Sequence, residues 1–152
     1  MNRNSLLKAW RFNKYPGMIA ASLGKPTHKN TVLLAKNFGT LFKPKNRWNT
    51  KYLYRGLVVS SPNNVKNIQG YSSWTNKLNV ARYFSNRGRN TNRSMILRIN
   101  TNLLKGISVL NSSNSEHEYV LPPMKMVLNV SSYNGRFLPV SEVFFNQKWH
   151  QK

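Results

Sequence analysis

The chain has 152 residues, 39% of them apolar and 12% aromatic, enough to build a core without covalent staples. It holds no cysteine, which excludes disulfides and thiolate metal sites, and 24 Lys and Arg against three acids leave a net charge of +21. A charge of that sign and size points to a polyanionic partner: nucleic acid, a ribonucleoprotein or an acidic binding protein. Residues 1–50 read as mainly helical. Leu6, Leu7 and Trp10, then Ile19, Ala20 and Leu23, fall near helical spacing with Pro16-Gly17 as a break, and Thr31 to Leu41 is a further helix ended by Pro44. From residue 51 the texture turns to strands. Tyr52 to Val59 is a strand stopped by Ser60-Ser61-Pro62, and Gly70 to Thr75 is a turn leading into a strand or a capped helix. Leu78 to Ser85 is a short helix with Val80, Ala81 and Phe84 inward, and Ser85 to Arg93 is a basic loop. Met95–Ile99 and Ile107–Leu110 are strands, Asn111 to Ser115 is a loop tip of turn formers, and Glu116 to Leu121 is a strand stopped by Pro122-Pro123. Met124 to Val130 and Phe137 to Phe145 complete the sheet region. The order predicts one α+β domain over 1–152, helical over 1–50 and strand-rich over 51–152.

The three histidines, His28, His117 and His150, lack metal-ligand spacing, so no metal is expected. No apolar run is long enough to span a bilayer, and the N-terminal stretch MNRNSLLKAWRF has no uninterrupted apolar segment of signal-peptide length. A cytoplasmic protein with no membrane partner is the expectation.

The acids carry the sharpest signal. The chain has no aspartate, and its glutamates are Glu116, Glu118 and Glu142. A protein with so little acid nevertheless places two carboxylates two residues apart. On a strand, residues i and i+2 share a face, so Glu116 and Glu118 would point into one cleft with His117 turned away. Like charges so placed repel and need cationic neighbours or a raised pKa. Such a pair can divide labour, one carboxylate stabilising a positive charge and the other handling a proton.

Two weaker elements precede this pair. Arg55 sits inside an apolar strand as Tyr54-Arg55-Gly56, and Gly70-Tyr71-Ser72-Ser73-Trp74-Thr75 precedes the helix carrying Ala81 and Phe84. Each alone is ordinary. In their order and spacing they resemble the Arg, Ser-x-Ser/Thr, Glu-x-Glu class of mono-ADP-ribosyltransferases, of toxin or phage type, over about residues 52 to 145. Ser73-Trp74-Thr75 departs from the commoner Ser-Thr-Ser, keeping the hydroxyl and adding bulk at Trp74.

The resemblance implies a core of two packed, roughly perpendicular β-sheets with N-terminal helices, and NAD as substrate. It implies that Arg55 binds the NAD phosphates, that Gly56 offers its backbone to the nicotinamide amide, and that Ser73, with Thr75 beside it, orients the ribose and Glu118. Glu118 would hold the ribose 2′-OH and stabilise the oxocarbenium ion, and Glu116 would deprotonate the acceptor. The basic loop lies where the family has its phosphate–nicotinamide loop, making Arg87, Arg89 and Arg93 candidates for the pyrophosphate, although they suit a macromolecular partner or solvent equally. The 111–115 loop corresponds to a substrate-recognition turn.

Glu-x-Glu is associated in that family with arginine acceptors, whereas a charge of +21 favours nucleic acid, RNA before DNA. A protein arginine on a nucleic-acid-bound target is the alternative. Tyr15, Trp48, Tyr71, Trp74 and Tyr119 are candidate base-stacking platforms. A non-catalytic basic RNA-binding protein is the reading from another class, which leaves the paired glutamates unexplained. An acidic antitoxin is a further expected partner of a chain this small and basic.

Overall fold

The computed structural model describes residues 2–12, 15–86, 94–112 and 117–145. Three helices come first: α1 (Arg3–Arg11), α2 (Tyr15–Ser22) and α3 (Lys29–Gly39). The strands are β1 (Lys43–Lys45), β2 (Tyr52–Val58), β3 (Ile68–Gln69), β4 (Ser72–Thr75), β5 (Ser94–Asn100), β6 (Ile107–Asn111), β7 (Glu118–Leu121), β8 (Met124–Leu128) and β9 (Phe137–Phe145), with α4 (Leu78–Ser85) between β4 and β5. The α+β expectation holds, with helices first and strands after.

Local chemistry explains the helix boundaries. Asn2 caps α1 by accepting from Ser5 N at 2.8 Å, and His28 caps α3 through Nδ1, which accepts from Asn30 N. Pro16-Gly17, expected to separate two helices, lies in the first turn of α2, where proline's missing N–H leaves no hydrogen bond unmade.

The strands follow one hydrogen-bonded order, β1-β6-β7-β4-β2-β5-β9-β8-β3. This order is one continuous nine-stranded sheet, and its two halves share a core. Between them lies one core built from Trp74, Tyr119, Leu121 and Val109 on one side and Leu53, Leu97, Ile99, Met124, Met126, Leu138 and Val140 on the other. The seam is thin, because β2 meets β4 at a single register position, Tyr54↔Thr75. The other face of β4, β6 and β7 carries a second core under the helices. There Leu6, Leu7, Trp10, Met18, Ala35 and Phe38 close over Tyr71, Leu110 and Val120. Its aromatic centre is Trp10 stacked on Phe38 at 5.1 Å, with Tyr71 edge-on to both.

Helix α4 lies directly on β2. A Cβ on Gly56 would fall 2.0 Å from Ala81 O and 2.7 Å from Ser85 N, so only glycine permits this approach. That contact carries Val80 and Phe84 to the edge of a cleft.

Candidate active site

Strand alternation sorts the central residues. On β4, Ser72 and Trp74 turn into the large core, where the Trp74 indole donates to Ser72 Oγ at 2.8 Å. Ser73 and Thr75 therefore face the helices, and the register places Thr75 opposite Glu118 and Ser73 opposite Val120. Glu118 is the first residue of β7 and is 8% exposed. Its Oε2 accepts from Ser73 Oγ at 2.5 Å and from Trp10 Nε1 at 3.1 Å. Two donors on one oxygen fix the plane of the carboxylate.

Arg55 reaches the same place from the other half. It follows Leu53 on the core-facing side of β2, opposite Leu97, and its Nη1 donates to Ser73 O at 3.0 Å. Where the β2–β4 ladder lapses, the arginine thus satisfies a carbonyl that a strand neighbour would otherwise bind. Arg55 Nε is enclosed and has no hydrogen-bond partner among the described residues. Burial lowers the guanidinium to about 10, with the Glu118 charge opposing that shift. It remains a cation at neutral pH, poorly hydrated and incompletely paired.

These side chains line a cleft of about 730 Å³, within the usual size of small-molecule sites. Its floor is Arg55, Ser73, Thr75 and Glu118. Its walls are Tyr54, Gly56, Val80 and Phe84 on the α4 side and Trp10, Phe12 and Tyr15 on the other. Thr75 Oγ1 accepts from Lys77 N and so helps turn the chain into α4. Gly56 lines the cleft, and the contact with α4 gives a packing reason for it.

Some expectations need correction. The strand expected from Glu116 begins at Glu118, because His117 has φ 51° and breaks the extended run. The i, i+2 argument that put both glutamates on one face therefore does not apply. Glu116 itself, like Arg87, Arg89 and Arg93, lies outside the described residues. Of the aromatic residues considered for base stacking, Tyr71 and Trp74 at 1% exposure and Tyr119 at 8% are core residues that cannot offer a free ring face. Trp48 is half-buried against Tyr119, and Tyr15 stands exposed at the cleft mouth.

Helix α1 supplies what the sequence reading missed. Besides the Trp10 contact to Glu118, Arg11 donates to Ser112 O at 2.9 Å and Arg3 to Asn111 O at 3.2 Å. Ser112 N in turn donates to Glu118 O. One helix therefore holds the end of β6 and the start of β7. Trp10→Phe keeps most of the ring packing and deletes the indole donor. Should the cleft carry the NAD chemistry that the sequence resemblance implies, kcat should fall by up to about tenfold with KM little changed, since the carboxylate loses orientation rather than the site losing a ligand contact. A rise in KM at unchanged kcat would make Trp10 a wall of the cleft only.

Compared with solved structures, the chain is similar to Vis toxin, an ADP-ribosyltransferase from Vibrio splendidus, with a TM-score of 0.52 and 16% identity. The match covers 94% of this chain and 74% of that one. This chain has the ADP-ribosyltransferase fold. At that identity the likeness is one of architecture. No protein-family model and no curated protein matches the sequence. Among the described residues, no group of three His, Cys, Asp or Glu side chains could hold a metal ion, and no helix is long and apolar enough to cross a membrane.

Proposed function

We propose that the protein, acting as a single domain over 1–152, is an NAD-dependent mono-ADP-ribosyltransferase. The observation that carries this reading is the convergence of Arg55, Ser73 and a desolvated, doubly hydrogen-bonded Glu118 on the floor of one cleft. The residues fit NAD. Arg55 lines the cleft as a cation and offers its guanidinium to a phosphate, and the aromatic and aliphatic walls suit flat rings. Arg87 and Arg89, in the basic loop, are proposed to share the pyrophosphate. Gly56 and Thr75 line the cleft and are proposed to flank the nicotinamide and its ribose.

In this reaction the bond from ribose C1′ to the nicotinamide nitrogen breaks and the nitrogen keeps the electron pair. Positive charge develops on the ribose as in glycoside hydrolysis. Glu118, held by Ser73 and Trp10, hydrogen-bonds the ribose and stabilises that charge more in the transition state than in the ground state. The acceptor then attacks C1′ and gives up a proton, which Glu116 is proposed to take. If so, Glu116→Gln lowers transfer while NAD hydrolysis persists. An equal fall in both activities would place Glu116 in the NAD site instead.

The acceptor is proposed to be nucleic acid, RNA before DNA, on the strength of the +21 charge. A toxin or phage effector acting in the cytoplasm, with an acidic antitoxin as an additional partner, fits the small basic chain. The experiment is incubation with labelled NAD and whole-cell lysate, followed by parallel nuclease and protease digestion. The label should survive protease and disappear on nuclease treatment. Transfer should fall steeply with salt, while hydrolysis in the enclosed cleft depends on it much less. A label removed by protease alone would make the acceptor a protein arginine. Absence of any NAD consumption would leave a non-catalytic RNA-binding protein.

A further inference from the structure

The outer face of β2, β5 and β9, opposite the large core, carries aromatic rings interleaved with cations. Tyr52 and Tyr54 alternate onto this face, Arg98 stands opposite Tyr54, and Phe137 enters from β9 opposite Ile96. The rings form a continuous strip, with Tyr52 to Tyr54 at 6.2 Å and Tyr54 to Phe137 at 6.3 Å between centroids. The Arg98 guanidinium lies 4.6 Å from the Tyr52 ring and 5.4 Å from that of Phe137, and Lys51 Nζ lies 5.4 Å from Tyr52. Tyr54 also lines the cleft, so the strip begins at the mouth of the proposed active site.

Helix α4 covers the Gly56 end of this face, and Tyr52, Tyr54, Arg98 and Phe137 beyond it are all half-exposed. A sheet face turned to water normally alternates to polar side chains. Here it presents three rings and a guanidinium. The described residues contain only two carboxylate side chains, Glu118 in the cleft and Glu142 five residues beyond Phe137, so little internal charge answers Arg98, Lys51 and the adjacent Arg136. Rings already layered with a guanidinium, set among cations on a half-exposed sheet face, match what an unpaired nucleic-acid strand offers: π-faced bases on a phosphate chain. A duplex hides its base faces in the stack, and an acidic protein segment brings the charge without the run of planar faces that the rings accept.

We propose that this strip is a docking track for single-stranded nucleic acid, stacking bases on Tyr52 and Phe137 with phosphates against Lys51, Arg98 and Arg136, and leading the strand past Tyr54 into the cleft. It rests on the transferase reading only for what the bound strand is for.

Binding is measured without NAD, by anisotropy of a labelled 12-nucleotide oligouridine against the same length of duplex RNA. The unmodified protein should bind the single strand more tightly. Tyr52→Leu/Arg98→Gln should weaken that binding by tenfold or more and lower the salt slope by roughly one phosphate contact. Lys36→Gln, an exposed site on α3 with the same change in charge, should change it less than twofold. Equal effects in both variants, or a preference for duplex, would overturn the track. Photo-cross-linking of 5-iodouridine oligomers to the unmodified protein is a second readout that does not depend on how the variant folds. Adducts should map to the peptides holding Tyr52 and Phe137, and adducts confined elsewhere would overturn the proposal. NAD hydrolysis by the unmodified protein is assayed separately, so that failure of the transferase reading and failure of the track give different results.

Discussion

Glu118→Gln should abolish both transfer and NAD hydrolysis, a loss on the order of 10³-fold or more, about 4 kcal/mol of transition-state stabilisation. Glutamine keeps the shape, and its carbonyl oxygen can still accept from Ser73 and Trp10, so the substitution deletes charge and little else. The large effect follows from burial. At 8% exposure the carboxylate acts through a medium far less screening than water, and an oxocarbenium ion formed beside it has few competing dipoles. A second consequence runs the other way. The Glu118 charge supports the buried Arg55 cation, so the glutamine variant leaves that cation less compensated. Its Tm should fall modestly and recover when pyrophosphate is added. Turnover near normal in this variant would remove Glu118 from the chemistry.

The sequence made much of this site legible, and the limits have physical causes. The α4 and β9 boundaries match expectation because Leu78–Ser85 has a clean inward stripe and Phe137–Phe145 is a long β-prone run. Lys43–Lys45 went unseen as a strand because proline argues against one, yet β1 is the edge of the sheet order, where a missing N–H is tolerated. The start of β7 was misplaced by two residues because a left-handed histidine leaves no mark in a hydrophobic pattern. Trp10 was legible as a buried helix residue. Its partner was not, because that contact joins residues 108 apart in the chain. The hint available was that a buried indole needs an acceptor, in a chain with three acids to offer. The thin β2–β4 seam was invisible for a similar reason, since nothing local records how far two strands stay paired.

That seam sets the expectation for Arg55. Arg55→Ala should lower NAD affinity by about thirtyfold or more, at least about 2 kcal/mol, because it deletes a desolvated cation that lines the cleft. The effect on stability should be small through cancellation. The variant strips a partner from Ser73 O, a cost of roughly 1–3 kcal/mol, and at the same time removes a charge whose burial opposes folding. The pH dependence gives a sign check. A cation lowered to about 10 in the folded state is disfavoured there relative to the unfolded chain, where arginine keeps its higher ordinary value. Its penalty on stability is constant below about 10 and is relieved only as pH rises between those two values. Arg55 should therefore add no stability change across pH 6 to 8, and a difference between wild type and variant should open only at strongly alkaline pH. An anion does at neutral pH what deprotonation does at high pH. Pyrophosphate or ADP-ribose should raise the Tm of the wild type and leave that of Arg55→Ala nearly unmoved. Arg55→Lys separates charge from geometry, keeping the cation while losing the fork that reaches Ser73 O and a phosphate together. It should retain part of the pyrophosphate shift and little of the NAD affinity. Unchanged NAD affinity in Arg55→Ala, measured by calorimetry, would reduce Arg55 to a clasp across the seam.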